Sequence, residues 1–230
     1  MDRKVFYDRV RAKPFRGTLS ASQVSGLAAL LDAWTGSDDR QLAYLLATAY
    51  HETAATMQPI AEYGRGKGRP YGAVDATGKA PYGRGYVQLT WADNYQTADA
   101  KLGLGGRLAR NYDLALQPDI AARIIVRGML EGWFTGRKLA DTIGAGKADY
   151  LNARRIINGT DKAQLIAGYA ADFEDALKAA RTGAPVSAQA KPAATAAAKP
   201  AVAKPAPAPS LLSLLGSFLG SFAAWRNVDK

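Results

Sequence analysis

From Pro185 to Pro209 the chain is almost entirely Ala, Pro and Lys. Such a stretch has too little apolar surface to bury a core, so it reads as a semi-extended, solvated linker. The composition therefore confines a folded domain to residues 1–182, with a linker over 183–209 and a separate element over 210–230. In a chain of 230 residues, the first part is long enough for one substantial domain.

Within that part, apolar residues recur at helical spacing. Lys4–Ala12 reads as a short helix stopped before Pro14. Ser20 and Gln23 make a capping box for a helix over Ala21–Trp34, with Val24, Leu27, Leu31 and Trp34 on its inner face. QLAYLLATAYHETAATM, residues 41–57, places Leu42, Leu45, Leu46 and Ala49 on one stripe. Further helices are expected over Asp93–Leu102, from Pro118 to about Leu130, and over Tyr150–Ile157, the last ended by Asn158-Gly159. Asp161 and Gln164 read as a capping pair for a final helix carrying Leu165, Tyr169, Phe173 and Leu177. Between them, Tyr86–Thr90 is a short β-prone run after glycines. On a strand it would put Gln88 and Thr90 on one face and Val87 and Leu89 on the other.

Several chemistries have little to draw on. There is no cysteine and one histidine, His51, which argues against thiolate or His-pair metal sites; no metal or cofactor is expected. The formal charge of +10 favours polyanionic surroundings such as nucleic acid, anionic lipid or an acidic bacterial wall. The N-terminal MDRKVFYDRVRAKPF lacks an apolar run, so it does not read as a secretory signal. Ser210–Trp225 is apolar, uninterrupted by charge, and slightly short of the ~20 residues that a membrane span needs. It reads equally as a membrane-associated helix or as one that docks or self-associates.

The carboxylates are more informative. Glu52 falls within about 20° of the centre of its helix's apolar stripe. A carboxyl there is costly to ionise, and its place near the C-terminal end of the helix adds to that cost. Both effects favour a neutral, proton-donating group, unless a buried arginine such as Arg155 pairs with it. Glu62 lies past Pro59 in a polar Gly/Arg-rich loop with Arg65 and Lys67, which favour its ionised form. Two carboxyls in opposite settings suit glycoside hydrolysis, in which one protonates the leaving oxygen and the other activates water. Asp75 is a second candidate for the base. Tyr82, Tyr86, Trp91 and Tyr95 offer rings for stacking on sugars, and Gln88, Thr90 and Asn94 offer polar groups.

AYHETA (49–54), PIAEYG (59–64), YGRGYVQLTW (82–91) and RIINGTD (155–161), in this order, resemble the family 19 glycoside hydrolases, and most of all their phage and prophage endolysin branch. The similarity runs from about Leu27 to Leu177. It implies a mainly α, lysozyme-like, two-lobed domain with a cleft, and inverting hydrolysis of β-1,4 links between N-acetylhexosamines without cofactor. By the same resemblance Glu52 is the general acid and Glu62 the base. Gln88 and Thr90 would hold substrate and water, and Asn158 would contact a sugar. The sequence departs from plant-type chitinases after Gly159, where Thr160, Asp161 and Lys162 stand, and in having no cysteines.

The combined reading is a peptidoglycan-degrading endolysin. Its catalytic residues would be Glu52, Glu62 and Thr90, with Gln88, Asn158, Tyr82, Trp91 and Asn94 against substrate. It would be made in a bacterial host's cytoplasm and act on the wall, with an anionic membrane surface as a further partner through 210–225, and no nucleic acid. A chitinase shares this chemistry. A wall-binding or membrane-disrupting protein with vestigial catalysis is the alternative of another class.

Overall fold

A computed structural model describes residues 1–183. The expected linker from residue 184 onward and the apolar segment 210–225 lie outside the described residues.

The fold is built round α3, Asp39–Glu52. Asp38 starts it by accepting a hydrogen bond from the Arg40 N–H at 2.9 Å. Every residue from Leu42 to Ala49 is buried. The helix is thus enclosed on all sides instead of presenting one stripe, as a central helix must be when neighbours cover its whole circumference. The long C-terminal helix packs along one side of α3 and is itself covered by α1, Arg3–Ala12. α2, Ala21–Ala33, begins with the expected reciprocal cap: the Gln23 N–H donates to Ser20 Oγ at 3.2 Å and the Ser20 N–H to Gln23 Oε1 at 2.8 Å. Gly26, Leu27, Leu30 and Leu31 are its buried residues; Val24 and Trp34 are half-buried.

A second group of elements follows. β1, Ile60–Ala61, pairs antiparallel with β2, Arg84–Gly85, in the register Ile60 to Gly85 and Ala61 to Arg84. α4, Ala92–Leu102, α5, Arg107–Arg110, a 3-10 helix at Tyr112–Leu116 and α6, Pro118–Glu131, complete it. α6 packs on α2 and touches α3, which joins the two groups. Then come α7, Leu139–Thr142, a small hairpin of β3, Ile143–Gly144, with β4, Lys147–Ala148, and α8, Tyr150–Ala153, which a 3-10 turn prolongs over Arg154–Ile156. α9, Ala163–Thr182, returns along α3 and α1.

Three expectations fail locally. The helix expected to reach Met57 stops at Glu52. Thr53 Oγ1 turns back to the Ala49 carbonyl at 2.7 Å and receives the Met57 N–H at 3.1 Å. Ala54, Ala55 and Met57 then take left-handed backbone with φ of 49°, 64° and 53°. The run Tyr86–Thr90 is not an alternating strand. Arg84 and Leu89 face each other across a tight turn, with reciprocal backbone bonds of 3.1 and 2.8 Å, and Gln88 closes it at φ 54°. Val87, Gln88, Leu89 and Thr90 are consequently all buried. Finally, the Asp161–Gln164 cap does not form. Lys162 occupies the capping position in left-handed conformation without a side-chain bond, and Ile166, not the exposed Leu165, enters the core.

Candidate active site

The early stop of α3 makes Glu52 the last helical residue, only 3 % exposed. Ionising a carboxyl there demands a partner. The partner is Arg154, whose guanidinium donates to Glu52 Oε1 at 2.6 Å. The expectation named Arg155, which is exposed and whose backbone carbonyl accepts from Thr135. Arg154 is itself buried and is fixed by donating from Nε to the Asp161 carbonyl at 3.1 Å. The pairing with a buried arginine therefore occurs, but through the residue next to the one named. The guanidinium fixes the orientation of the Glu52 carboxyl. Arg154 also ties Glu52 to the segment that bears Asn158, since the Asn158 N–H donates to the Arg154 carbonyl at 3.0 Å. His51, beside Glu52, is held below its ordinary range by burial, an effect that the charge of Glu52 only partly offsets.

Glu62 sits where β1 ends, and its setting is built from neutral groups. Its backbone N–H donates to the Gly83 carbonyl at 2.8 Å. Its side chain accepts from the Gly83 N–H and from the Tyr71 hydroxyl, each at 3.3 Å. Burial, and then the charge of Glu62, push the Tyr71 phenol up, which keeps it a donor. Gly83 is the junction of this cluster. A Cβ there would stand 3.0 Å from Gln88 Oε1 and 3.3 Å from Thr90 Oγ1, so Glu62, Gln88 and Thr90 converge on one residue that has no side chain.

The hydrogen bonds define what these groups have left to offer. Gln88 Nε2 donates to the Ile60 and Gly85 carbonyls at 3.1 and 3.2 Å, which leaves Oε1 as an acceptor beside Gly83. Thr90 Oγ1 donates to the Gln88 carbonyl at 2.7 Å, so it meets a water or sugar hydroxyl as an acceptor. Asn94 donates from Nδ2 to the Thr90 carbonyl at 2.7 Å, which makes it a support of that loop. Asp75 spends both oxygens locally, on the Thr77 N–H and hydroxyl and on the Tyr112 hydroxyl. Burial opposes its ionisation, but these bonds prevail and hold it below the usual carboxylate range. Its oxygens are thus committed to holding its own loop.

The aromatic residues divide. Tyr86 and Tyr95 are wholly buried, so the expectation that they stack on sugars is corrected. Tyr82 is half-buried, with the Arg84 guanidinium carbon 3.6 Å from its ring centroid; this covers one ring face. Trp91 is half-buried and meets Tyr71 edge to face at 5.3 Å. Arg84, only 2 % exposed, donates to the Ala80 and Tyr82 carbonyls and to Asp113. Sequence reasoning gave no role to Arg84, Tyr71 or Arg154. Only the glycine-flanked position of Arg84 in GRG carried a signal. Among the described residues, no group of three or more His, Asp or Glu side chains could hold a metal ion, and no helix is long and apolar enough to cross a membrane.

The fold is similar to that of chitinase C from Streptomyces griseus HUT6037, with a TM-score of 0.51 and 24 % sequence identity, over 76 % of this chain and 75 % of that chain. The architecture is therefore chitinase-like and mainly helical. No family model and no curated protein matches the sequence.

Proposed function

We propose that the chain is a glycoside hydrolase that cuts β-1,4 links between N-acetylhexosamines in bacterial peptidoglycan, in the manner of a phage endolysin. The observation that carries this reading is the contrast between a buried, arginine-held Glu52 and a half-buried Glu62 in neutral hydrogen bonds. In an inverting reaction, Glu52 gives its proton to the glycosidic oxygen as the bond to the anomeric carbon breaks. Arg154 then stabilises the carboxylate that remains, and its hold on Oε1 leaves Oε2 to carry the proton. Glu62 takes a proton from a water that attacks the anomeric carbon from the opposite face. Thr90 Oγ1 and Gln88 Oε1 accept from that water and from substrate, while Trp91, Tyr82 and Asn158 line the sugar sites. The protein would act on the wall from a host cytoplasm, with the 210–225 segment adding membrane contact.

Chitin is the second candidate substrate, favoured by the likeness to a chitinase. Mass analysis of products from purified peptidoglycan and from chitin oligomers tests both. Saccharides with a new reducing end from peptidoglycan are expected. Cleavage of chitin alone would make the protein a chitinase, and an anhydro product would replace hydrolysis by transglycosylation. If neither polymer is cut while the wall is still bound, the protein is a binding or membrane-active one.

A further inference from the structure

Residues 63–74, YGRGKGRPYGAV, carry three cations and no acid. The segment leaves directly from Glu62 and returns to it through the Tyr71 hydroxyl. It is a folded loop: the N–H groups of Arg65, Lys67, Arg69 and Gly72 donate to the carbonyls of Glu62, Gly64, Gly66 and Arg69 at 3.0, 2.8, 2.9 and 2.9 Å. Gly66 and Gly72 lie in backbone contact, since a Cβ on Gly72 would overlap the Gly66 carbonyl oxygen at 1.8 Å. Arg65, Lys67 and Arg69 are displayed on its exposed side.

Some surface cations are matched with acids, as in Lys4–Asp8, Arg127–Glu131 and Arg181–Asp39, whereas this loop brings three close together in sequence with no acid among them. Among the described residues, Arg65 and Lys67 form no ion pair. Gathering like charges on an ordered loop costs electrostatic energy and yields a local positive potential that attracts anions. Because the loop starts at Glu62 and folds back to it through Tyr71, that potential lies next to the carboxylate read as the base.

We propose that the 64–69 loop is a subsite for carboxylates carried on the glycan substrate, and that it selects an acidic glycan over neutral chitin. The proposal rests on the reading of Glu62 as part of the glycan-cleaving site. A neutral polymer gains nothing from these cations, whereas strands bearing lactyl or peptide carboxylates gain exposed ion pairs with Arg65 and Lys67.

The test measures co-sedimentation of the full chain with purified, phosphate-free peptidoglycan, in a Glu52→Gln background so that the polymer stays intact. Arg65→Gln/Lys67→Gln is expected to weaken binding about three- to tenfold, the scale of two exposed ion pairs, and to flatten its salt dependence. The difference should vanish on peptidoglycan whose carboxyls have been amidated with a neutral amine. An Arg137→Gln/Lys178→Gln pair, exposed cations elsewhere, controls for net charge. Equal binding by the loop variant, a loss that persists on amidated polymer, or an equal loss in the control pair would overturn the proposal. So would a loss seen only on wall that carries phosphate polymers. Failure of the hydrolase reading shows separately, as uncut peptidoglycan and chitin with Glu52 intact.

Discussion

The end of α3 and the loop after β1 hold their carboxylates by opposite means. Glu52 is enclosed by helices and oriented by one buried cation, and its surroundings change only if the core changes. Glu62 lies on a chain of turns, oriented by a backbone N–H and a phenol at hydrogen-bond distances near the upper limit. The difference teaches how one fold can fix two carboxylates by unlike means. A single buried guanidinium orients the first, and a backbone N–H and a phenol orient the second. It also implies that damage at the two places will look different: at α3 it should cost stability and activity together, and at the loop activity alone.

Glu52→Gln is expected to have the largest effect. It keeps an oxygen that accepts from Arg154 but removes the proton donor, so glycan cleavage should fall about 10²–10⁴-fold, the contribution of a general acid, with the fold retained by circular dichroism. Glu62→Gln should lower turnover comparably while the unfolding free energy stays within about 0.5 kcal/mol, as for other substitutions outside the core. If Glu62→Gln is fully active on purified glycan, the assignment of the base fails.

Arg154→Met sharpens the comparison at the α3 end. It leaves the buried Glu52 carboxyl without its hydrogen-bond donor, and urea titration should show a loss of about 1–3 kcal/mol. The double variant Glu52→Gln/Arg154→Met should regain part of that loss, since neither buried charge remains. A stability unchanged by Arg154→Met would mean that the pair does not govern this end of the helix.

His51 gives a pH-dependent contrast. Burial depresses its folded-state pKa below the unfolded value of about 6.5. Between those two values the unfolded chain binds the proton that the folded chain refuses. The associated stability is thus present above pH ~6.5 and is lost as the pH falls through the lower folded pKa. The drop in melting temperature from pH 7.5 to 5.5 should therefore be smaller in His51→Gln than in the wild type. An identical drop would show that His51 does not titrate differently on folding.

Much of the helical frame was legible because its signals are local. Ser20 with Gln23, Pro118 at a helix start and Asn158-Gly159 at a helix end each act through their own backbone neighbours. The end of α3 was not legible. No glycine or proline marks it; Thr53 and three left-handed residues, Ala54, Ala55 and Met57, turn the chain there. Close packing of Gly26 against the Met57 carbonyl reinforces the turn: a Cβ on Gly26 would lie 1.6 Å from that oxygen. Which of two adjacent arginines meets Glu52 was equally hidden. α8 tightens into a 3-10 turn at Arg154, and the change in residues per turn shifts the phase on which helical spacing depends. Tyr71 escaped because a loop without periodicity does not reveal which side chain folds back.

Tyr71→Phe is the smallest of the expected effects and addresses the loop directly. It removes one 3.3 Å hydrogen bond to Glu62 Oε1 and keeps the ring against Trp91. A bond this long, even to a carboxylate, is worth about 1 kcal/mol net, so turnover should fall only about two- to fivefold, with no change in melting temperature. Glu62 would then be oriented by the Gly83 N–H alone, and the loss should appear in kcat more than in KM if the phenol sets the aim of the base and does not touch the sugar. A loss as large as that of Glu62→Gln would mean that Tyr71 itself handles a proton in the reaction. The loop would then resemble the α3 end in depending on one indispensable partner, and the distinction between a guanidinium-held acid and a dipole-held base would collapse.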